Sequence, residues 1–329
     1  MDTVMSRRAF VRSAMAVALA GAAGIQHRAE AQVTDPRPPT VDTSNPQEIA
    51  DGVWVIHDHR IWLVPNIGII VGKDAALVVD CGLGPANGEK VLALAHKLAG
   101  PKRRLFLTLT HFHPEHGYGA QVFRPDATII YNHAQRDELV KKGERYLTLF
   151  RTKQSRAAVE ALEGTRIVMP HVVYDDPSIE IDLGDRKVEL RHWGLAHTRG
   201  DQIAFLPRER ILFAGDLIEE RMFPIFPWFP PADMEIDGKR WANILSGFQR
   251  FNPSVIIPGH GDPGGIRIAL SLAAHIEDTG RQVRALRKAG VSSSAILAHC
   301  KPRIIAAHPD WEHSSLLDLE IEYFASLPI

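Results

Sequence analysis

The chain has 329 residues, 45% of them hydrophobic and 23% charged, a balance that supplies a full apolar core and excludes a mainly disordered chain. Lys and Arg number 38 against 39 Asp and Glu, so the basic footprint of a nucleic-acid binder is absent and no nucleic-acid partner is expected.

Residues 1–31 read as an address. Ser6-Arg7-Arg8-Ala9-Phe10-Val11 precedes a weakly apolar run at 14–25, and Ala29-Glu30-Ala31 has small residues at the spacing of a cleavage site. The segment resembles a twin-arginine signal, which implies the twin-arginine translocase as transport partner and a periplasmic destination. About 12 Ala- and Gly-rich residues are too short to span a bilayer, so no stable membrane insertion of the mature chain is expected. Residues 32–46, with Pro36, Pro38 and Pro39, read as an extended leader, and residues 47–329 as one folded domain. Cys81 and Cys300 lie too far apart in sequence to signal a disulfide framework.

From residue 47 the pattern alternates. Residues 53–56, 62–64, 67–71 and 76–80 are short β-branched and aromatic runs broken by turn residues, and each is predicted as a strand. A helix is predicted over 87–98, where Val91, Leu92, Leu94 and Ala95 share a face, and a strand over 105–109. Further strands are expected at 188–193, 203–206, 211–214 and 255–257, with a helix at 241–251. Runs at 266–290, 294–300 and 314–326 read as helices able to cover a sheet face.

The chemistry begins at Thr110-His111-Phe112-His113-Pro114-Glu115-His116-Gly117. Three imidazoles and a carboxylate within six residues, directly after an apolar strand, sit where several donors can converge on metal. Gly194-Leu195-Ala196-His197 follows a later strand, Ala214-Gly215-Asp216 closes another, and Pro258-Gly259-His260-Gly261 closes a third. Taken singly, each of these is an ordinary cap or turn.

In this order, and with Val78-Val79-Asp80 ahead of them, the segments resemble the metallo-β-lactamase superfamily over about 54–262. The resemblance implies an αβ/βα sandwich, two mixed sheets face to face with helices outside and metals at one edge. It places His111, His113 and His197 on a first metal, Glu115, His116 and His260 on a second, and Asp216 between them. Asp80 would accept hydrogen bonds that orient a ligand or the loop. Zinc, as two ions, is the expected cofactor, with iron or manganese as alternatives.

The family usually carries Asp where Glu115 stands, and one extra methylene displaces the carboxylate unless the loop shifts. Glu115 is then either a ligand in an adapted site or a general base on a water. The expected activity is hydrolysis of an ester, lactone, thioester or related bond in a small molecule, because Asp216 resembles the bridging residue of the glyoxalase II and lactonase branches. Hydrolysis of β-lactams is the alternative, and an iron-dependent redox reaction a further one. In the diiron redox branch Glu replaces the second signature His, and here His113 is intact. The proline-broken aromatic segment at 221–231 holds Phe226, Trp228 and Phe229, which either wall the substrate pocket or pack against a terminal helix.

Overall fold

Short β-branched runs separated by Gly-, Asp- and Asn-containing turns form the strands of two sheets. The structure is a computed structural model describing Val33 and residues 35–328, so the expected signal segment at 1–31 lies outside the described residues.

In the first sheet β1 (Gln47–Ala50), β2 (Val53–Ile56), β3 (Ile67–Val71) and β4 (Ala75–Val79) form an antiparallel meander. It continues into parallel β5 (Arg104–Thr108), β6 (Ala127–Asn132) and β7 (Val172–Tyr174). The second sheet repeats the plan on a smaller scale. β8 (Ser178–Asp182), β9 (Lys187–His192), β10 (Gln202–Leu206) and β11 (Ile211–Glu219) are antiparallel, and β12 (Val255–His260) is parallel to β11.

Parallel neighbours need crossover connections, and helices supply them. In chain order these helices are α1 (Gly84–Ala99), the single turn α2 (Pro114–Gly117), α3 (His133–Lys153), α4 (Arg156–Ala161) and α5 (Gly238–Gly247). They are followed by α6 (Ile266–Lys288), α7 (Ser293–Ala307) and α8 (Leu317–Ser326). Helix α1 packs on β3 and β4, α3 on β6 and β7, and α5 and α6 on β11, so helices cover the outer faces of both sheets.

The inner faces meet in one buried cluster. Val53, Val55, Leu77 and Val79 of the first sheet join Leu190, Ala204, Leu206, Phe213 and Ile257 of the second. Burying a side chain of the size of Leu77 or Leu190 contributes roughly 1.5–3 kcal/mol. The sheets approach closely at Gly68, where a Cβ would fall 2.5 Å from the Phe213 ring. The expected αβ/βα sandwich of two mixed sheets is therefore the observed fold.

Elements depart from expectation at three places, the first being β1 (Gln47–Ala50), where no strand is expected. Residues 62–64 are a turn rather than a strand: Val64 N–H bonds to Ile61 O at 3.0 Å and Leu63 has φ +63°. Between 118 and 187, where the sequence pattern assigns nothing, lie β6, α3, α4, β7 and β8. Helix α3 buries Gln135, Glu138 and Gly143 beside Leu139, Tyr146, Leu147 and Phe150, so its inner face carries no clean apolar stripe.

Residues 35–46 have no helix or strand yet are fastened to the domain. Val41 is buried and its N–H donates to Asn87 Oδ1 at 2.9 Å, while Asn87 Nδ2 donates to Pro39 O at 2.8 Å. Cys81 and Cys300 are both buried and unpaired. No described helix is long and apolar enough to cross a membrane.

Candidate metal centre

The chain turns out of β4 at Asp80, whose backbone takes a positive φ of 67°. That turn presents its carboxylate to the loop leaving β5. Asp80 Oδ1 accepts from Thr110 N at 2.7 Å, and Oδ2 accepts from Thr110 Oγ1 and from His116 Nδ1, each at 2.9 Å. A hydrogen on Nδ1 leaves the His116 Nε2 lone pair free to point into the centre, 3.1 Å from Asp216 Oδ1.

Two donor sets converge, each with its ligand atoms within 4.8 Å of one another. One is His111, His113, His197 and Asp216; the other is Glu115, His116, Asp216 and His260. Asp216 belongs to both, and its two oxygens divide between them. Oδ2 lies 3.6 Å from His111 Nε2 and 4.0 Å from His197 Nε2. Oδ1 lies 3.1 Å from His116 Nε2 and 3.7 Å from His260 Nε2.

The second sheet positions the later donors. Parallel pairing of β11 with β12 is irregular between Phe213 and Glu219, which brings Asp216 beside the end of β12. Gly259 makes this possible: a Cβ there would sit 1.9 Å from Asp216 Oδ1. The turn after His260 is held by Asp58 Oδ2, accepting from Gly261 N at 2.8 Å, and by Asn66 Nδ2, donating to Gly261 O at 2.8 Å. The His197 loop is tied by Asp201, which accepts from Thr198 N at 2.7 Å, and by Glu138, which accepts from Arg199 N and Gly200 N at 3.0 Å each.

These donors fit a cation. None of the seven is more than 6% exposed. His111 Nε2, His116 Nε2, both oxygens of Glu115 and both of Asp216 are buried without a hydrogen-bond partner. Orphaned buried carboxylate oxygens are costly unless a positive group joins them. Burial and neighbouring imidazoles hold His111 and His113 well below the usual histidine range, and burial takes His197 down to about 4, so all three are neutral donors. Burial also pushes Glu115 up to about 8 when no cation stands before it. His116 goes the other way while no cation stands before it: burial opposes its charge, but Asp216 and Asp80 outweigh it and hold its pKa well above normal, so a bound cation would take the place of the proton on Nε2.

Every metal-ligating residue expected from the sequence thus reaches one centre. The aromatic segment divides. Trp228 stands with its ring 5.2 Å from His113, and Phe229 stacks on Trp228 and meets Tyr146 at 5.2 Å. Phe226 packs instead on Trp241, Tyr323 and Phe324, the last two from α8, while still lining a narrow cavity with His113, His197, Tyr146 and Trp228.

Sequence reasoning missed Glu219, Asp58, Asn66, Glu138, Lys142 and Tyr146. Glu219 is buried on β11; its Oε2 accepts from Ile225 N at 2.9 Å, and burial and Asp216 push its pKa well up. Only Glu219, three residues after Asp216 on an apolar strand, carried a signal that could have been caught, since a charged residue at a buried strand position is rare.

A family model described as the metallo-beta-lactamase superfamily matches residues 60–260. Among solved structures, a metallo-beta-lactamase from Pontibacter korlensis is similar with a TM-score of 0.54 and 19% identity, covering 70% of this chain and 98% of its own. A stereoselective inverting sec-alkylsulfatase from Pseudomonas sp. is similar with a TM-score of 0.60 and 15% identity, covering 86% of this chain and 50% of its own. The chain therefore spans half the length of that alkylsulfatase, and at such identities both likenesses speak to the fold alone.

Proposed function

The chain belongs to the metallo-beta-lactamase superfamily, typically metal-dependent hydrolases, and from that premise we propose that it is a binuclear zinc hydrolase acting on an ester, lactone or thioester. The observation that carries this reading is the division of Asp216, with Oδ2 turned to the His111 and His197 set and Oδ1 to the His116 and His260 set. One carboxylate so placed suits two cations side by side. It also favours a site of the glyoxalase II and lactonase kind over the β-lactamase alternative.

His111, His113 and His197 would hold one ion, Glu115, His116 and His260 the other, and Asp216 both. Neutral imidazoles with two carboxylates suit zinc as a borderline cation. Bound there, the pair supplies Lewis acidity, bringing water toward acidity near pH ~7 and polarising the oxygen of the bond under attack. The protein's own residues do the rest. Asp80 fixes the tautomer of His116, Asp58 and Asn66 hold the His260 turn, and Trp228 with Tyr146 presents an apolar wall at the His113 side. No Ser or Cys nucleophile is required, and buried Cys81, its thiol pKa pushed well up by burial, takes no part.

We also read residues 1–31 as a twin-arginine signal, which would deliver an already folded, metal-loaded protein to the periplasm. The test of the hydrolase reading is metal content by atomic emission alongside a screen of esters, lactones, thioesters, β-lactams and phosphodiesters. Two zinc per chain and ester-type turnover lost in His197→Ala are expected. Full turnover in metal-free protein ends the reading.

A further inference from the structure

The metal centre is closed. None of its donors is more than 6% exposed, and Trp228 and Phe229 are buried over the His113 side. A substrate can reach it only if something moves.

The covering segment is residues 225–236. It contains no helix or strand, and its backbone is stiffened by Pro227, Pro230 and Pro231. Its far end is held to the body through polar side chains. Asp233 Oδ2 accepts from Tyr146 Oη at 2.9 Å and meets Lys142 Nζ at 2.9 Å. Glu235 meets the same ammonium at 2.9 Å and Arg199 Nη2 at 2.7 Å. Lys142 is completed by Glu138 at 2.9 Å, the carboxylate that also ties the His197 loop. One ammonium on α3 therefore joins the cover, the helix and a ligand-bearing loop.

Charge balance distinguishes the two positions of that segment. With it down, Lys142 and Arg199 face Glu138, Asp233 and Glu235, an excess of negative charge. With it lifted, Asp233 and Glu235 leave, and Lys142 and Arg199 outnumber Glu138. Lys142 also lines the cavity beside His113, His197 and Trp228, so its ammonium then faces the entering molecule. A low-dielectric pocket strengthens such an exposed charge.

We infer that residues 225–236 form a lid latched by Lys142, and that an anionic group of the substrate replaces Asp233 and Glu235 on that ammonium when the lid opens. For its substrate class this inference rests on the hydrolase reading; it adds that the ester, lactone or thioester carries a carboxylate or similar anion beside an apolar body that suits Trp228 and Tyr146.

The test uses the zinc-loaded full chain and needs no turnover. Hydrogen exchange over 225–236 is compared between wild type and Asp233→Asn/Glu235→Gln, isosteric changes that remove the latch charges. Exchange about tenfold faster in that segment, with the β-sheet amides unchanged, is expected; equal exchange overturns the lid. Tyr146→Phe, which removes one tether, gives a smaller shift in the same direction. Binding of phenylacetate and of phenylacetamide is then measured by calorimetry. Wild type is expected to prefer the carboxylate, and Lys142→Gln to lose about tenfold of that preference, the size of one charge-assisted contact. An unchanged preference in Lys142→Gln means the anion is held by the cations alone and overturns the role of Lys142. A chain that hydrolyses nothing yet shows both shifts sinks the hydrolase reading and leaves the lid standing.

Discussion

Asp80 accepts the Nδ1 hydrogen of His116 at 2.9 Å, and that bond fixes which nitrogen of His116 faces the centre. The same carboxylate fastens Thr110 through its backbone N–H and its hydroxyl, so Asp80 sets both the tautomer of one donor and the course of the loop that bears the others. Asp80→Asn keeps the shape and removes the charge. Metal affinity is expected to fall about 10- to 100-fold, the range seen when a ligand loses its orienting partner. A zinc titration with a competing chelator measures it; unchanged affinity means that His116 is oriented by packing alone.

Glu115 sits in the second donor set with both oxygens unpartnered. This arrangement favours a ligand over a base on water. Glu115→Gln replaces an anionic donor by a neutral amide, so the second zinc should bind at least about tenfold more weakly and turnover should recover in part with excess zinc. Zinc stoichiometry and turnover on one preparation decide. Lowered turnover at full metal content would assign the general-base role instead.

Gly259 abuts Asp216 more tightly than any side chain allows, with a Cβ position 1.9 Å from Oδ1. Gly259→Ala must therefore displace the Asp216 carboxylate or the end of β12. A loss of roughly 1–3 kcal/mol of stability is expected from overpacking, together with loss of bound zinc. Thermal melts with and without zinc separate the effects: a variant that keeps wild-type zinc affinity would show that Asp216 can shift without consequence.

A pH-dependent contribution to stability is expected from the latch. The hydrogen bond from Arg199, with Lys142 close by, holds Glu235 down at about 2 against the ordinary 4.5. Because the folded value lies below the unfolded one, this contribution is fully present above about pH 4.5 and fades as pH falls toward 2. Glu235 is 41% exposed, so solvent screens the effect and it is small. The difference in Tm between wild type and Glu235→Gln should narrow between pH 6 and pH 3.5. A gap that widens on acidification would contradict the assignment.

Export offers a test independent of the site. Replacing Arg7 and Arg8 together by Lys preserves charge but removes the paired guanidinium groups that a twin-arginine transport receptor would read under the proposed export route. Precursor should then accumulate in the cytoplasm. Undiminished periplasmic yield would point to the general secretory route.

The first donors were legible because metal chemistry restricts residue type, and few arrangements explain His, His, Glu and His within six residues. His197, Asp216 and His260, each an ordinary cap or turn taken singly, were legible only through the resemblance of their order to the metallo-β-lactamase superfamily. Strands β2 to β5 and β9 to β12 were legible because a buried strand needs β-branched runs, whereas β1, β6, β7 and β8, at or near the sheet margins, were not. What escaped were residues whose role lies in spatial partners. Lys142 and Glu138 look in sequence like an i, i+4 pair on a solvated helix face, yet Lys142 closes on Asp233 and Glu235 some ninety positions away. Helix α3 itself was missed because its buried face mixes Gln135, Glu138 and Gly143 with Leu139, Tyr146, Leu147 and Phe150 and so shows no clean apolar stripe. Residues 62–64 misled because aromatic and aliphatic side chains buried from a turn resemble those buried from a strand.

The close approach of Gly68 to Phe213 carries a consequence for how variation in the core is felt. His111 to His116 hang from the first sheet, while Asp216 and His260 belong to the second, so the centre is assembled only when the two slabs meet at one fixed separation and tilt. Gly68 and Phe213 help to set that separation. On the proposed function, metal affinity would therefore act as a vernier on sheet alignment: substitutions in the hydrocarbon filling between the slabs, far from any ligand, are expected to register as a change in metal retention before the fold itself gives way.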